Sequence, residues 1–64
     1  MKDKLLQYEQ EVILLIENIE DVTTSDAQAI VETWERQTGN KVSDLFNVHV
    51  SIQDAAHKII NYQN

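Results

Sequence analysis

Residues 25–39 read Ser25-Asp26-Ala27-Gln28-Ala29-Ile30-Val31-Glu32-Thr33-Trp34-Glu35-Arg36-Gln37-Thr38-Gly39. Ala27, Ile30, Val31 and Trp34 stand at i, i+3, i+4 and i+7, the spacing of one helix face. Ser25 with Gln28 fits a capping box, and Asp26 falls in the first turn, where the helix dipole favours an acid. Gly39, the only glycine in the chain, stands where the residue past a helix end takes a left-handed conformation. The stretch therefore predicts a helix from about Asp26 to Thr38. Trp34 is expected in the core; an exposed anchor made with Tyr8 or Tyr62 is the alternative.

On the N-terminal side, residues 4–22 read as one long amphipathic helix. Leu5, Tyr8, Val12, Leu15, Ile19 and Val22 step by three and four, a heptad-like seam that Ile16 widens. Leu6 and Ile13 fall on a flank of that seam, and Leu14 sits among Gln7, Gln10, Glu17 and Asn18 on the polar side. So many apolar stripes need either several neighbours or a second chain. Leu6, Ile13 and Leu14 are the candidates for self-association.

On the C-terminal side, Val42, Leu45 and Phe46 suit a short helix over 42–47, entered through Ser43 or Lys41. Phe46, Val48, Val50 and Ile52 also alternate as a strand would. A lone strand lacks a partner in this chain unless a second copy supplies one, so the short helix followed by an extended connector is preferred. Ser51 then caps a last helix with Asp54 at its third position, and Val50 and Ala55 form a hydrophobic staple. Ile52, Ala55, Ala56, Ile59 and Ile60 give its core stripe, with fraying expected near Tyr62.

The chain has 64 residues, 42% of them hydrophobic, with no cysteine and no proline. That length leaves room for one domain, residues 1–64. A chain this short buries only about 60% of its unfolded surface, so self-association is one way to gain stability. Without cysteine, neither a disulfide nor a thiolate zinc site can serve instead. The longest apolar run, Val12 to Ile16, is far too short to span a bilayer. No apolar stretch of signal-peptide length follows Lys2 and Lys4, so a cytoplasmic folded domain is expected.

Net charge is −6 and unevenly placed. Residues 1–35 hold nine acids against Lys2 and Lys4, whereas residues 36–64 carry three cations (Arg36, Lys41, Lys58) and two acids (Asp44, Asp54). An acidic surface repels phosphate backbones and attracts basic partners, or simply keeps a small domain soluble.

Little in the sequence suggests catalysis. His57 lies three residues from Asp54, a spacing that fits a carboxylate-held base but equally an exposed helical pair. His49 and His57 are too far apart in sequence for a shared helical metal site, and no calcium or phosphate loop is present. No enzyme activity, cofactor or metal is expected. A helix-turn-helix is conceivable from Ser25 to Asn47, with Lys41, Ser43, Asn47 and His49 near a recognition helix. Only Arg36, Lys41 and Lys58 could then meet phosphates, so nucleic acid is a poor partner.

Thr23-Thr24-Ser25, Ile30-Val31-x-x-Trp34-Glu35, Thr38-Gly39 and Ser43-Asp44-Leu45-Phe46 together resemble the second and third helices of colicin- and pyocin-type immunity proteins. Those are small acidic four-helix proteins that neutralise basic nuclease toxins. The resemblance implies that Asp44 takes the role of the family's toxin-contacting acid and that Glu32 and Glu35 lie on a toxin-facing helix. Asn47 and Val48 stand where that family carries tyrosines.

The sequence thus reads as all-α: a small bundle of three main helices plus a short fourth helical element. Its expected function is non-enzymatic binding of a basic or amphipathic protein, of inhibitor type, through Glu32, Glu35, Asp44 and Phe46. The alternatives are a homodimer or larger assembly built on the first helix, and a helix-turn-helix regulator.

Overall fold

The computed structural model describes residues 2–63, with side chains from Asp3 to Tyr62. The fold is all-α, and four helices follow one another: α1 (Lys2–Glu20), α2 (Thr24–Thr38), α3 (Val42–Asn47) and α4 (Ile52–Gln63). Helix α1 packs against each of the other three, and α2 also packs against α4. None of these helices is long and apolar enough to cross a membrane.

Helix α1 ends earlier than the seam through Val22 predicts. Asp21 takes a left-handed φ of 55°, and the Val22 N–H donates to the Glu17 carbonyl at 3.2 Å. This is the closing bond of a Schellman turn, with aspartate in the place that usually goes to glycine. Val22 leaves the helix and packs back on the core.

The buried stripe of α1 is also rotated from the expected seam. Tyr8, Val12 and Ile16 are buried, while Ile19 is 40% exposed. A stripe stepping by three and four runs along the axis and suits a coiled coil, whereas steps of four form an inclined ridge. Such a ridge fits a helix whose neighbours are several and short. Ile13, expected at a self-association surface, is half-buried against the core.

Helix α2 starts one residue before Ser25, not after it. Thr23 is the cap: its backbone is extended and its hydroxyl accepts the Asp26 N–H at 3.2 Å. Only Val22 and Thr23 separate the left-handed Asp21 from helical backbone, so the cap falls on the first hydroxyl available. Val22 and Ala27 then occupy the two positions of a hydrophobic staple. The Thr24 hydroxyl donates to Glu17 Oε2 at 2.8 Å, tying the start of α2 to the end of α1. Ala27, Val31 and Trp34 are buried as their spacing requires. Gly39 ends the helix with φ 75° and donates its N–H to the Glu35 carbonyl at 2.9 Å.

Residues 42–47 form the short helix, and the alternation of Phe46, Val48 and Val50 is not a strand. The connector that follows is a tight turn and not the extended segment expected. His49 is left-handed with φ 64°. Its N–H reaches the Phe46 carbonyl at 3.1 Å, and the Val50 N–H reaches the Leu45 carbonyl at 3.0 Å. Both bonds of a Schellman motif are present. Ser51 caps α4 as expected, accepting the Asp54 N–H at 3.1 Å. Ala55, Ala56, Ile59 and Ile60 are buried, and the helix continues through Tyr62 to Gln63.

The core collects Tyr8, Val12 and Ile16 from α1, Trp34 from α2, Leu45 from α3 and Ile59 from α4, among others. A polar anchor in it is the Tyr8 hydroxyl, which donates to the Val50 carbonyl at 2.7 Å. The Tyr8 ring meets Phe46 edge-on at 5.2 Å between centroids. Burial pushes the Tyr8 phenol above its ordinary pKa. No buried side-chain nitrogen or oxygen lacks a partner among the described residues.

Candidate functional site, an acidic trough between α1 and α2

Only residues 21–23 join α1 to α2, and the two helices pack against each other, so α1 read backwards faces α2 read forwards. This pairing sets Ile13 and Leu14 beside Gln28, and Glu9 beside Glu32 and Glu35. One hollow is lined by Glu9, Ile13, Gln28, Val31, Glu32, Glu35 and Val42. A second is lined by Gln10, Ile13, Leu14, Thr24 and Gln28. They adjoin at Ile13 and Gln28 and together make a trough along the α1–α2 face, lined by Ile13, Leu14, Val31 and Val42 and acidic at one end.

The structure thereby brings together residues that the sequence placed in separate sets. Glu32 and Glu35, expected to meet a partner, share the trough with Ile13 and Leu14, expected at a self-association surface. Leu14 is 52% exposed and also borders a hollow between α1 and α4 with Leu15 and Ile52. Leu6 is 53% exposed, closer to the start of α1 and outside the trough.

Asp44 and Phe46 lie elsewhere. Asp44 Oδ2 accepts the Lys41 backbone N–H at 2.9 Å, capping the first turn of α3. Phe46 is half-buried and turns its ring to Tyr8, so much of its surface already serves the fold. Glu35 has an internal task as well: its Oε2 accepts the Val42 N–H at 3.0 Å. Between them Asp44 and Glu35 satisfy two of the N–H groups that a helix start leaves open. The carboxylates of Glu9 and Glu32 carry no hydrogen bond or ion pair with another described residue.

Glu9 is the site residue that reading the sequence misses. Counting back from the α1–α2 turn would have set it opposite Glu32.

The other chemical candidates do not converge. His57 Nδ1 lies 2.8 Å from the Gln53 carbonyl, one turn back, and not on Asp54. His49 is exposed past the end of α3, so the recognition helix imagined over 42–49 stops at Asn47. Among the described residues no three histidines, aspartates or glutamates come together as a metal-ligand set.

Set against known proteins, the chain matches no family model, no curated protein and no solved structure.

Proposed function

We propose that this protein is a non-enzymatic binding module that docks a basic or amphipathic protein through its α1–α2 face, acting as an inhibitor or neutraliser. The observation that carries this reading is the trough: Glu9, Glu32 and Glu35 line it, and among the described residues no lysine or arginine does. Acids without internal counter-charges speed encounter with a cationic partner, and a few apolar contacts then hold it. The resemblance to immunity proteins points the same way through Glu32 and Glu35. Asp44 and Phe46 support the reading less, because the fold already uses them.

The test compares two baits in affinity capture, the natural chain and a Glu9→Lys, Glu32→Lys variant whose helicity is checked by circular dichroism. A basic protein held by the first and lost from the second supports the reading. The purified pair should also associate more slowly as salt rises. The same set of proteins on both baits, or an association rate indifferent to the two reversals, rejects acidic steering.

Self-association is a second reading, favoured by Leu6 and Leu14, each just over half exposed on α1. Light scattering over a range of concentrations tests it. A mass that stays near 7.4 kDa rejects it; twice that mass, abolished by Leu14→Glu, supports it.

A further inference from the structure

The trough has a direction. Its lining on α2 runs from Thr24 to Glu35, eleven residues, or about 16 Å at the helical rise. The Thr24 end is flanked by the exposed Leu14 and by Ile13, the middle by Gln28, and the far end by Glu32, Glu9 and Glu35. The carboxylates are strung along that far end and do not gather as a metal-ligand set. They match a row of cationic side chains and not a single ion.

We propose that this trough seats a basic amphipathic α-helix of the partner protein. An apolar residue of that helix rests against Leu14 and Ile13, and Lys or Arg one and two turns further along meets Glu32, Glu9 and Glu35. The proposal rests on the protein-binding reading above and adds the form and register of what binds. A furrow between two antiparallel helices accepts the ridge of a third, by the packing that joins helices inside a bundle. For a guest helix lying parallel to α2, the spacing from Gln28 to Glu32 and to Glu35 places the cations four and seven residues after an apolar residue beside Gln28. A second copy of this chain does not fit: none of its helices carries two cations three or four residues apart, and each copy brings a net charge of −6. Of the three acids, Glu35 is already held in place by the Val42 N–H, so less side-chain freedom is lost when a cation meets it.

The test titrates the full ¹⁵N-labelled chain with two synthetic helix-forming peptides of equal composition. One carries Leu at i with Arg at i+4 and i+7; the other has the same residues in scrambled register. Amide shifts should map to Ile13, Leu14, Gln28 and Glu32 for the first peptide and be several-fold weaker for the second. At low salt, Glu9→Gln and Glu32→Gln should each weaken binding roughly two- to fivefold. Neither carboxylate supports the fold, so both variants remain testable. Leu14→Ala should weaken binding at every salt concentration. Binding of the first peptide on another face overturns the trough but leaves a basic partner standing. No binding of either peptide at low salt overturns both. Equal binding in the trough by both peptides overturns the register, and a doubled mass with the trough shielded hands the site to a second copy.

Discussion

Replacing Tyr8 by Phe tests how this small core is held together, because it deletes one atom whose role is specific. The Tyr8 hydroxyl joins α1 to the Val50 carbonyl, 42 residues away, at 2.7 Å. It therefore closes the turn between α3 and α4 onto the central helix. Phe keeps the ring, and with it the edge-on contact to Phe46. What is lost is one hydrogen bond and the partner of a carbonyl that is partly shielded, about 0.5–1.5 kcal/mol. A chain of this length has roughly 3–10 kcal/mol of total stability, so the loss is a sizeable share. It corresponds to a fall of about 4–8 °C in Tm for each kcal/mol in a domain this small.

The pH dependence supplies a second readout. Burial raises the Tyr8 pKa in the folded chain above its ordinary value of 10.0. The folded state thus holds its proton where the unfolded chain gives it up. The contribution is fully present below about pH 10 and is lost as pH rises from there through the folded pKa. Urea melts of both proteins, followed by circular dichroism at pH 7 and at steps up to pH 11.5, measure it. The natural chain should lose stability with rising pH more steeply than Tyr8→Phe, the lysine contribution cancelling in the difference. Equal midpoints at pH 7, together with parallel decline above pH 10, would refute the role given to this hydroxyl.

Other outcomes follow from the helix ends and the core. Thr23→Ala should cost about 1 kcal/mol by thermal melting and Ser25→Ala only a few tenths, since Thr23 alone caps α2; equal losses would contradict that assignment. His49→Gly should stabilise the chain by about 0.5–1 kcal/mol, because φ 64° strains a residue with a Cβ; a destabilised variant would mean that the imidazole contributes more than the strain. Gly39→Ala should destabilise by about 1 kcal/mol through its φ of 75° alone, as an added Cβ would meet no atom within 4 Å. Ile16→Ala, at a fully buried position, should cost about 2–5 kcal/mol in urea melts, whereas Leu14→Ala should change stability little. Comparable losses at the two positions would place Leu14 in the core and take it out of the trough.

The parts legible in the sequence are those set by local chemistry. Gly39, Ser51 and the faces of α2 and α4 announce themselves because a cap, a left-handed residue or an i, i+3, i+4 pattern depends on neighbours a few residues away. The stretch from Phe46 to Ile52 misleads because its alternation arises from a Schellman turn, in which Val48 faces solvent at 68% exposure and Val50 turns inward. The α1 stripe is ambiguous for a different reason. With Leu5, Leu6, Tyr8, Val12, Ile13, Leu14, Leu15, Ile16 and Ile19 on one helix, sequence spacing admits several stripes. Which one is buried depends on the angles at which α2, α3 and α4 cross it, and those are fixed only once all four helices are assembled. The trough is hidden at the same level, since Glu9 and Glu32 become neighbours only through the hairpin.

The acids show how a charge that reads from sequence as a binding residue can serve the fold. Glu35 and Asp44 both look from sequence like partner-facing charges, and both carboxylates bond backbone N–H groups at the start of α3. A six-residue helix gains little from propagation and depends heavily on its ends and its packing. Val42 and Leu45 supply the packing, and these two acids supply the N-terminal bonds. Removing Glu35 would therefore disturb α3 and the acidic end of the trough together, and a loss of binding in that variant could not be assigned to either. Glu9 and Glu32 have no such double duty. They are the positions at which charge can be altered with the helices left in place, which makes them the informative residues for deciding whether the acidity of this surface recognises a partner or only keeps the chain in solution.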